Sequence, residues 1–214
     1  MSAANRFHLI VSTLTIATMY WLVNQLPLWF PDVKNVNPVW QAILAVPTTV
    51  VFYKAVAFVY RLILNHWELA KKFTFGPEYV QGTWIGRYSN SAKELRLTVE
   101  HFEQTIDGLV VRGYAFTDQS ATPVVDWTSK AASVNASLGE LTFSYNCNNN
   151  ENNTKFEGLA DFKFERKHAS SAPEFLNGYS ADLIGTHGRF PNRERLMSRK
   201  HEPLPKAWAE AKNT

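Results

Sequence analysis

One cysteine, Cys147, is all that the 214 residues contain, so no intrachain disulfide can staple the fold. That usage fits a reducing compartment. Charge is missing from two long stretches near the front. Phe7 to Pro31 holds no Asp, Glu, Lys or Arg, and Val36 to Leu64 holds only Lys54 and Arg61. Catalytic signatures are missing as well. There is no His-Glu-x-x-His, no Gly-x-Ser-x-Gly, no phosphate-binding glycine loop, and no His/Cys cluster at metal-ligand spacing. These absences point away from an enzyme, and they imply no cofactor. The net charge of +3 is too small to indicate a DNA or RNA binder, which needs a clustered basic face. Asn152-Asn153-Thr154 and Asn135-Ala136-Ser137 match the glycosylation acceptor pattern. Matches that short arise by chance and matter only in a secretory lumen.

The uncharged stretches are the first positive signal. A bilayer core about 30 Å thick needs roughly 20 apolar residues in a helix. Such runs span about residues 7–30 and 39–64. Trp21, Trp29 and Phe30 sit near the end of the first, where aromatic rings favour the membrane interface. Pro27 and Pro31 stop it, and Asp32, Lys34 and Asn35 make a polar turn short enough to force a helical hairpin. A cleaved signal sequence would have a shorter apolar core and no second span behind it. A buried soluble hairpin is the other competing reading. Arg6 flanks the start of the pair and Arg61, Lys71 and Lys72 its end, against Lys34 alone in the turn. The positive-inside rule then puts both termini in the cytoplasm. Pro47 is expected to kink the second helix. Lys54 lies within the second run. It either faces a partner helix or water, or snorkels to the interface along its own stem.

Residues 65–75 read as a linker or helix extension, broken by Gly76-Pro77. The hydrophobic period then changes to two. Eight strands are expected to start near Thr83, Glu94, Thr105, Pro123, Glu140, Thr154, Phe175 and Arg193. No long helical pattern intervenes, so residues 76–200 predict a small antiparallel eight-stranded β-barrel, closed to remove sheet edges. Residues 201–214 read as a polar tail.

Alternation suggests the inward side chains: Trp84 and Tyr88; Leu95, Leu97 and Val99; Ile106, Val110, Arg112, Tyr114 and Phe116; Val125 and Trp127. Leu141, Phe143 and Tyr145 follow, then Phe156, Phe162 and Phe164, then Tyr179 and Leu183. Such a lining makes either a plain aromatic core or a site for one small ligand. Arg112 on an apolar face needs an anionic partner, internal or on a ligand. Cys147, in an asparagine-rich stretch, is expected in a tolerant loop. His187, between two glycines, is a weak ligand candidate beside Arg189. The basic run Arg193, Arg195, Arg199 and Lys200 reads as a charged edge strand or as a contact for anionic lipid.

Two apolar helices, a linker and a minimal eight-stranded domain opening on Gly82-Thr83-Trp84-Ile85-Gly86-Arg87-Tyr88 resemble one family. It is the two-transmembrane, β-strand-rich effectors of bacterial CBASS anti-phage systems, the CD-NTase-associated membrane effectors. The resemblance rests on domain order and strand count across the chain. It implies a receptor at the inner membrane. A cognate nucleotidyltransferase makes a cyclic oligonucleotide, the barrel binds it, the protein forms a homo-oligomer, and the helices disrupt the bilayer. A cyclic dinucleotide would need aromatic faces and cations. Trp84, Tyr88, Trp127, Tyr145 and Tyr179 could supply the faces, and Arg112, with Arg87 and Arg189, the charge. Lys54 would be the membrane-active residue. The competing reading is a membrane-tethered, lipocalin-like barrel that carries a lipid or other apolar ligand.

Overall fold

The structure is a computed structural model, and it describes residues 2–29, 38–90, 92–183 and 188–213. The chain forms two compact units, Met1–Phe75 and Gly76–Thr214.

The first unit is helical: α1 (Ala3–Trp29), α2 (Pro38–His66) and α3 (Glu68–Phe75). α2 runs through Pro47. The expected turn at Pro31, Asp32, Lys34 and Asn35 lies outside the described residues. Ala3–Gln25 and Val46–His66 are long and apolar enough to cross a membrane. Only 17% and 6% of their apolar windows are buried, whereas a core helix of a soluble protein is mostly buried. Ile16, Val23, Val46, Val51 and Phe58 all lie open. Hydrocarbon around the pair would remove that apolar surface from water. A small seam joins the helices: Phe7 tilts against Tyr60 in its buried part, and His8 Nδ1 lies 2.6 Å from the Tyr53 hydroxyl at its exposed edge. The Tyr60 hydroxyl then meets Thr74 Oγ1 at 2.7 Å, which ties α2 to α3.

The second unit is a closed antiparallel barrel of eight strands in sequence order, with β8 returning to β1. They are β1 (Gly82–Ser89), β2 (Leu95–Thr105), β3 (Gly108–Phe116), β4 (Val125–Asn135), β5 (Glu140–Asn149), β6 (Thr154–Glu165), β7 (Phe175–Asp182) and β8 (Arg189–Ser198). Closure pairs every strand on both sides, so no edge is exposed. Asparagines make the turns: Asn149 Oδ1 accepts from the Glu151 amide, and Asn152 Oδ1 from the Thr154 amide and hydroxyl.

The end where the chain enters the barrel is sealed. Val80, Trp84, Phe102 and Leu176 are fully buried there. Trp84 Nε1 donates to Val80 O at 2.8 Å. Arg199 donates to the carbonyls of Tyr79, Gln81 and Pro173 at 2.9–3.2 Å, stitching the ends of three segments together.

Residues 201–214 depart from the expected polar tail, because Leu204–Lys212 form a helix, α4, on the outside of β1 and β2. Ala207 and Ala211 are buried against Ile85, Leu97, Val99 and Phe116, flanked by Leu204 and Trp208. Trp208 Nε1 donates to Thr117 O at 3.0 Å. Arg87 donates to the carbonyls of Ala211 and Lys212, satisfying the open C-terminal end of the helix.

α4 inverts the expected faces of β2 and β3. Leu97 and Val99 point outward under the helix, and Arg96, Thr98 and Glu100 point inward. On β3, Val111 and Ala115 are buried while Val110 and Arg112 lie exposed on the outside. The basic run is corrected too: β8 is not an edge. Arg193 pairs with Glu165, Arg195 with Glu210, and Arg199 with backbone carbonyls.

Candidate functional site

The barrel is sealed at one end and hollow at the other. A cavity of about 550 Å³ opens among the β1–β2 and β5–β6 turns. Its walls are aromatic: Tyr88, Trp127, Tyr145, Phe156 and Phe190, above a floor of Phe143 and Phe162. Arg96 and Lys155 stand at the mouth with Glu151 and Asn90. Arg96 is held between Glu94 at 2.9 Å and Glu151 at 3.1 Å, with its side chain only 10% exposed.

Glycines on neighbouring strands seat two of the aromatic walls. Trp127 pairs across the sheet with Gly113, and Tyr145 with Gly158. A Cβ on either glycine would overlap the ring that lies on it. Each ring therefore lies flat along the wall, and the hollow stays open. Gly158→Ala should drive the Tyr145 ring into the cavity. Overpacking of this kind costs about 1–3 kcal/mol. A thermal melt of the full chain with no loss of stability would show that the ring has room to spare.

The deep wall is polar. Glu100 and Glu194 are buried on the two strands that flank β1, and Gly86 lies between Glu194 and Thr98, where a Cβ would crowd Glu194 Cγ and Thr98 Oγ1. Glu100 Oε1 accepts from Trp127 Nε1 at 3.0 Å, and Glu194 Oε1 accepts from Asn192 Nδ2 at 2.7 Å. Burial, then the neighbouring carboxylate, raises the Glu100 pKa well above the ordinary carboxyl range. Burial pushes that of Glu194 up to about 7. The second oxygens of both carboxyls have no other donor among the described residues. Both shifts favour the protonated form, so the pair carries less than its full double negative charge near neutral pH.

Cys147 is not in a loop. It lies on β5, 4% exposed, facing the cavity. Burial, then Asp182 and Asp126, pushes its thiol up to about 12, so it is no nucleophile at neutral pH. Burial also raises the Tyr145 phenol, which reaches Asp182 Oδ1 at 3.4 Å, and pushes Tyr88 up to about 12.

Of the residues singled out in the sequence, the structure brings Tyr88, Trp127 and Tyr145 together on the cavity. Trp84 lies in the sealed core beneath it. Four others lie outside the cavity, which corrects the expected inward placement of Arg112 and Tyr179. Arg112 pairs with Glu103 on the surface. Arg87 caps α4. Tyr179 faces outward, its hydroxyl 3.5 Å from Asp161, with the Arg189 guanidinium 4.4 Å above its ring. The reason on β7 is register: Phe162 sits opposite Gly178, and Ala160 opposite Ser180, so the even positions face in. Leu183 is 62% exposed, and His187 lies outside the described residues. Lys54 is exposed on α2. Sequence reasoning missed Arg96, Thr98, Glu100, Lys155, Asn192 and Glu194. An apolar period of 3 and 4 at Leu204, Ala207, Trp208 and Ala211 was the available signal, because a helix there covers the apolar face of β2 and turns its polar face inward. Arg112→Ala should change stability by less than about 1 kcal/mol, as for other exposed pairs, in a denaturant melt. No protein-family model, no curated protein and no solved structure matches the chain.

Proposed function

We propose that the chain is a ligand-gated membrane effector whose barrel binds a cyclic oligonucleotide, sized as a cyclic dinucleotide. The carrying observation is the open cavity with aromatic walls and two cations, Arg96 and Lys155, at its mouth. Its volume of about 550 Å³ falls within the roughly 300–1,000 Å³ of small-molecule sites. Flat bases stack on such walls, and phosphates favour guanidinium and ammonium groups. The protein is not an enzyme in this reading, and a nucleotidyltransferase supplies the messenger. The setting is the bacterial inner membrane, with α1 and α2 spanning it and both termini cytoplasmic. Bound ligand favours the self-associated state by its differential affinity, and the clustered helices, with Lys54, breach the bilayer during anti-phage defence.

The competing lipocalin-like reading meets a specific obstacle. Arg96, Glu100, Asn192 and Glu194 line or back the hollow. An alkyl chain laid against them would strip their water and offer no hydrogen bond in exchange.

The test is thermal unfolding of the full chain in detergent micelles with a panel of cyclic dinucleotides. A ligand at a hundred times its Kd adds about 2.7 kcal/mol. Arg96→Ala should weaken binding about tenfold, the loss of one charge-assisted hydrogen bond, and Arg112→Ala should leave it unchanged. A shift with fatty acids and with no dinucleotide would overturn the proposal in favour of the carrier. For the membrane step, Lys54→Leu is compared with wild type by dye leakage from vesicles after ligand addition. Equal leakage removes Lys54 from the mechanism.

A further inference from the structure

Beside the second oxygens of Glu100 and Glu194, two neutral buried polar atoms on the deep wall have no hydrogen-bond partner among the described residues: Thr98 Oγ1 and Asn192 Oδ1. Thr98 is 1% exposed and Asn192 8%, and both line the cavity. The Asn192 amide donates from Nδ2 to Glu194 Oε1 at 2.7 Å, and its Oδ1 is the atom left over. Thr98 brings a hydroxyl that can turn its hydrogen into the cavity. Together they offer one acceptor and one donor to whatever enters. Buried polar atoms left unpaired are rare and costly, and a ligand that pairs them recovers that cost.

We infer that Thr98 and Asn192 form a subsite for the hydrogen-bonding edge of a neutral nucleobase, so that the ligand enters base first and leaves its phosphates at the mouth. The inference rests on the receptor reading above and adds to it a direction and a recognition element. A base edge carries a donor beside an acceptor, which complements Asn192 Oδ1 and the Thr98 hydroxyl. A phosphate or carboxylate has acceptors alone and cannot satisfy Asn192 Oδ1. Such an anion would also meet the carboxyls of Glu100 and Glu194, which flank Thr98 and Asn192 in the sheet. The cations lie elsewhere, at the rim, where Arg96 and Lys155 can reach phosphates that stay outside. Trp127 and Tyr145, with ring centroids 6.4 Å apart, wall the path between the two regions. Hydrogen bonding at the deep wall discriminates between bases more than stacking does, because every base has a π face.

The experiment uses the full chain in detergent micelles and isothermal titration with cyclic dinucleotides of the four common bases. Thr98→Val keeps the side-chain shape and removes the hydroxyl, and Thr98→Ser restores it. Thr98→Val is expected to weaken the best dinucleotide at least tenfold and to flatten the preference among bases, while Thr98→Ser binds like wild type. The unliganded Tm of each variant separates lost recognition from lost folding, and Thr98→Val should not lower it, since it deletes an unpaired buried group. The nucleoside of the preferred base should compete, and inorganic phosphate should not. Dinucleotide binding that survives Thr98→Val unchanged overturns this inference and leaves the receptor reading standing. Binding of putrescine that is lost in Thr98→Val makes the wall an amine site and also overturns it. No binding of any dinucleotide to wild type removes the receptor reading, and the inference with it.

Discussion

Replacing Glu100 with Gln should make the barrel more stable than wild type above about pH 7 and remove most of its loss of stability at higher pH. The wild-type pair of Glu100 and Glu194 is buried, with both folded pKa values raised from the ordinary 4.5. For an acid whose folded pKa is raised, the folded state binds more protons than the unfolded one. The associated stability is full below the unfolded value and is lost as pH rises through the folded values, here about 7 for Glu194 and higher for Glu100. One excess proton costs about 1.4 kcal/mol per pH unit. His101 acts in the opposite sense. Burial, then His201, pushes its pKa down to about 4, so its contribution grows with pH and is complete above its ordinary 6.5. A window from about pH 6.5 to 8.5 therefore favours the carboxyl pair, and wild type should lose stability as pH rises across it. In Glu100→Gln the amide oxygen still accepts from Trp127, and the amide nitrogen donates to Glu194. The measurement is thermal unfolding of both proteins in one detergent across that window. A wild-type Tm that stays level or rises with pH would mean that the pair holds no proton. Glu100→Leu is the contrasting variant. It orphans Trp127 Nε1 and leaves Glu194 without a donor, so it should be less stable than wild type at every pH.

The architecture was legible because its signals are long. Two nearly uncharged runs announced the helices, and eight alternating segments announced the strands, six of whose expected starts fall within two residues of those observed. Trp127 and Tyr145 were legible because their strands bury one face only, and Tyr88 because it shares a strand face with Trp84. The cavity's polar half was not. β2 is buried on both faces, by the barrel interior and by α4, so Leu97 and Val99 compete with Thr98 and Phe102 for the inward place and alternation alone cannot choose. Once β2 is read the wrong way round, Arg96 is sent outside, and Arg112, whose own strand carries the adjacent apolar pair Val110-Val111, is sent inside. One missed nine-residue helix thus accounts for the exchange of one arginine for another. The tail looked polar because Lys206, Glu210 and Lys212 dominate its composition. Its apolar residues lie along one face, and composition does not record spacing.

Ending the chain after Pro203 tests the helix directly and should destabilise the barrel by on the order of 5 kcal/mol. The deletion uncovers Ile85, Leu97, Val99 and Phe116, four side chains at most 2% exposed in the intact protein. It also strips Arg87 of the two carbonyls it caps and Arg195 of Glu210. The new surface is a contiguous apolar strip on a sheet already packed on its other side, so no rearrangement within the barrel can cover it. Trp208→Ala is the graded form, expected to cost about 3 kcal/mol, because it removes the largest side chain of α4 and leaves Thr117 O without its indole donor. Far-UV circular dichroism melts give the stability, and fluorescence of an apolar dye reports the exposed strip in the truncated form. Truncated protein that melts like wild type and binds no dye would mean that the strip is covered by something other than α4. Intermediate behaviour of Trp208→Ala between the two chains is the expected signature of a helix held by its packed face. The charged pairs at its ends, Arg195 with Glu210 among them, are part-exposed and contribute little by comparison.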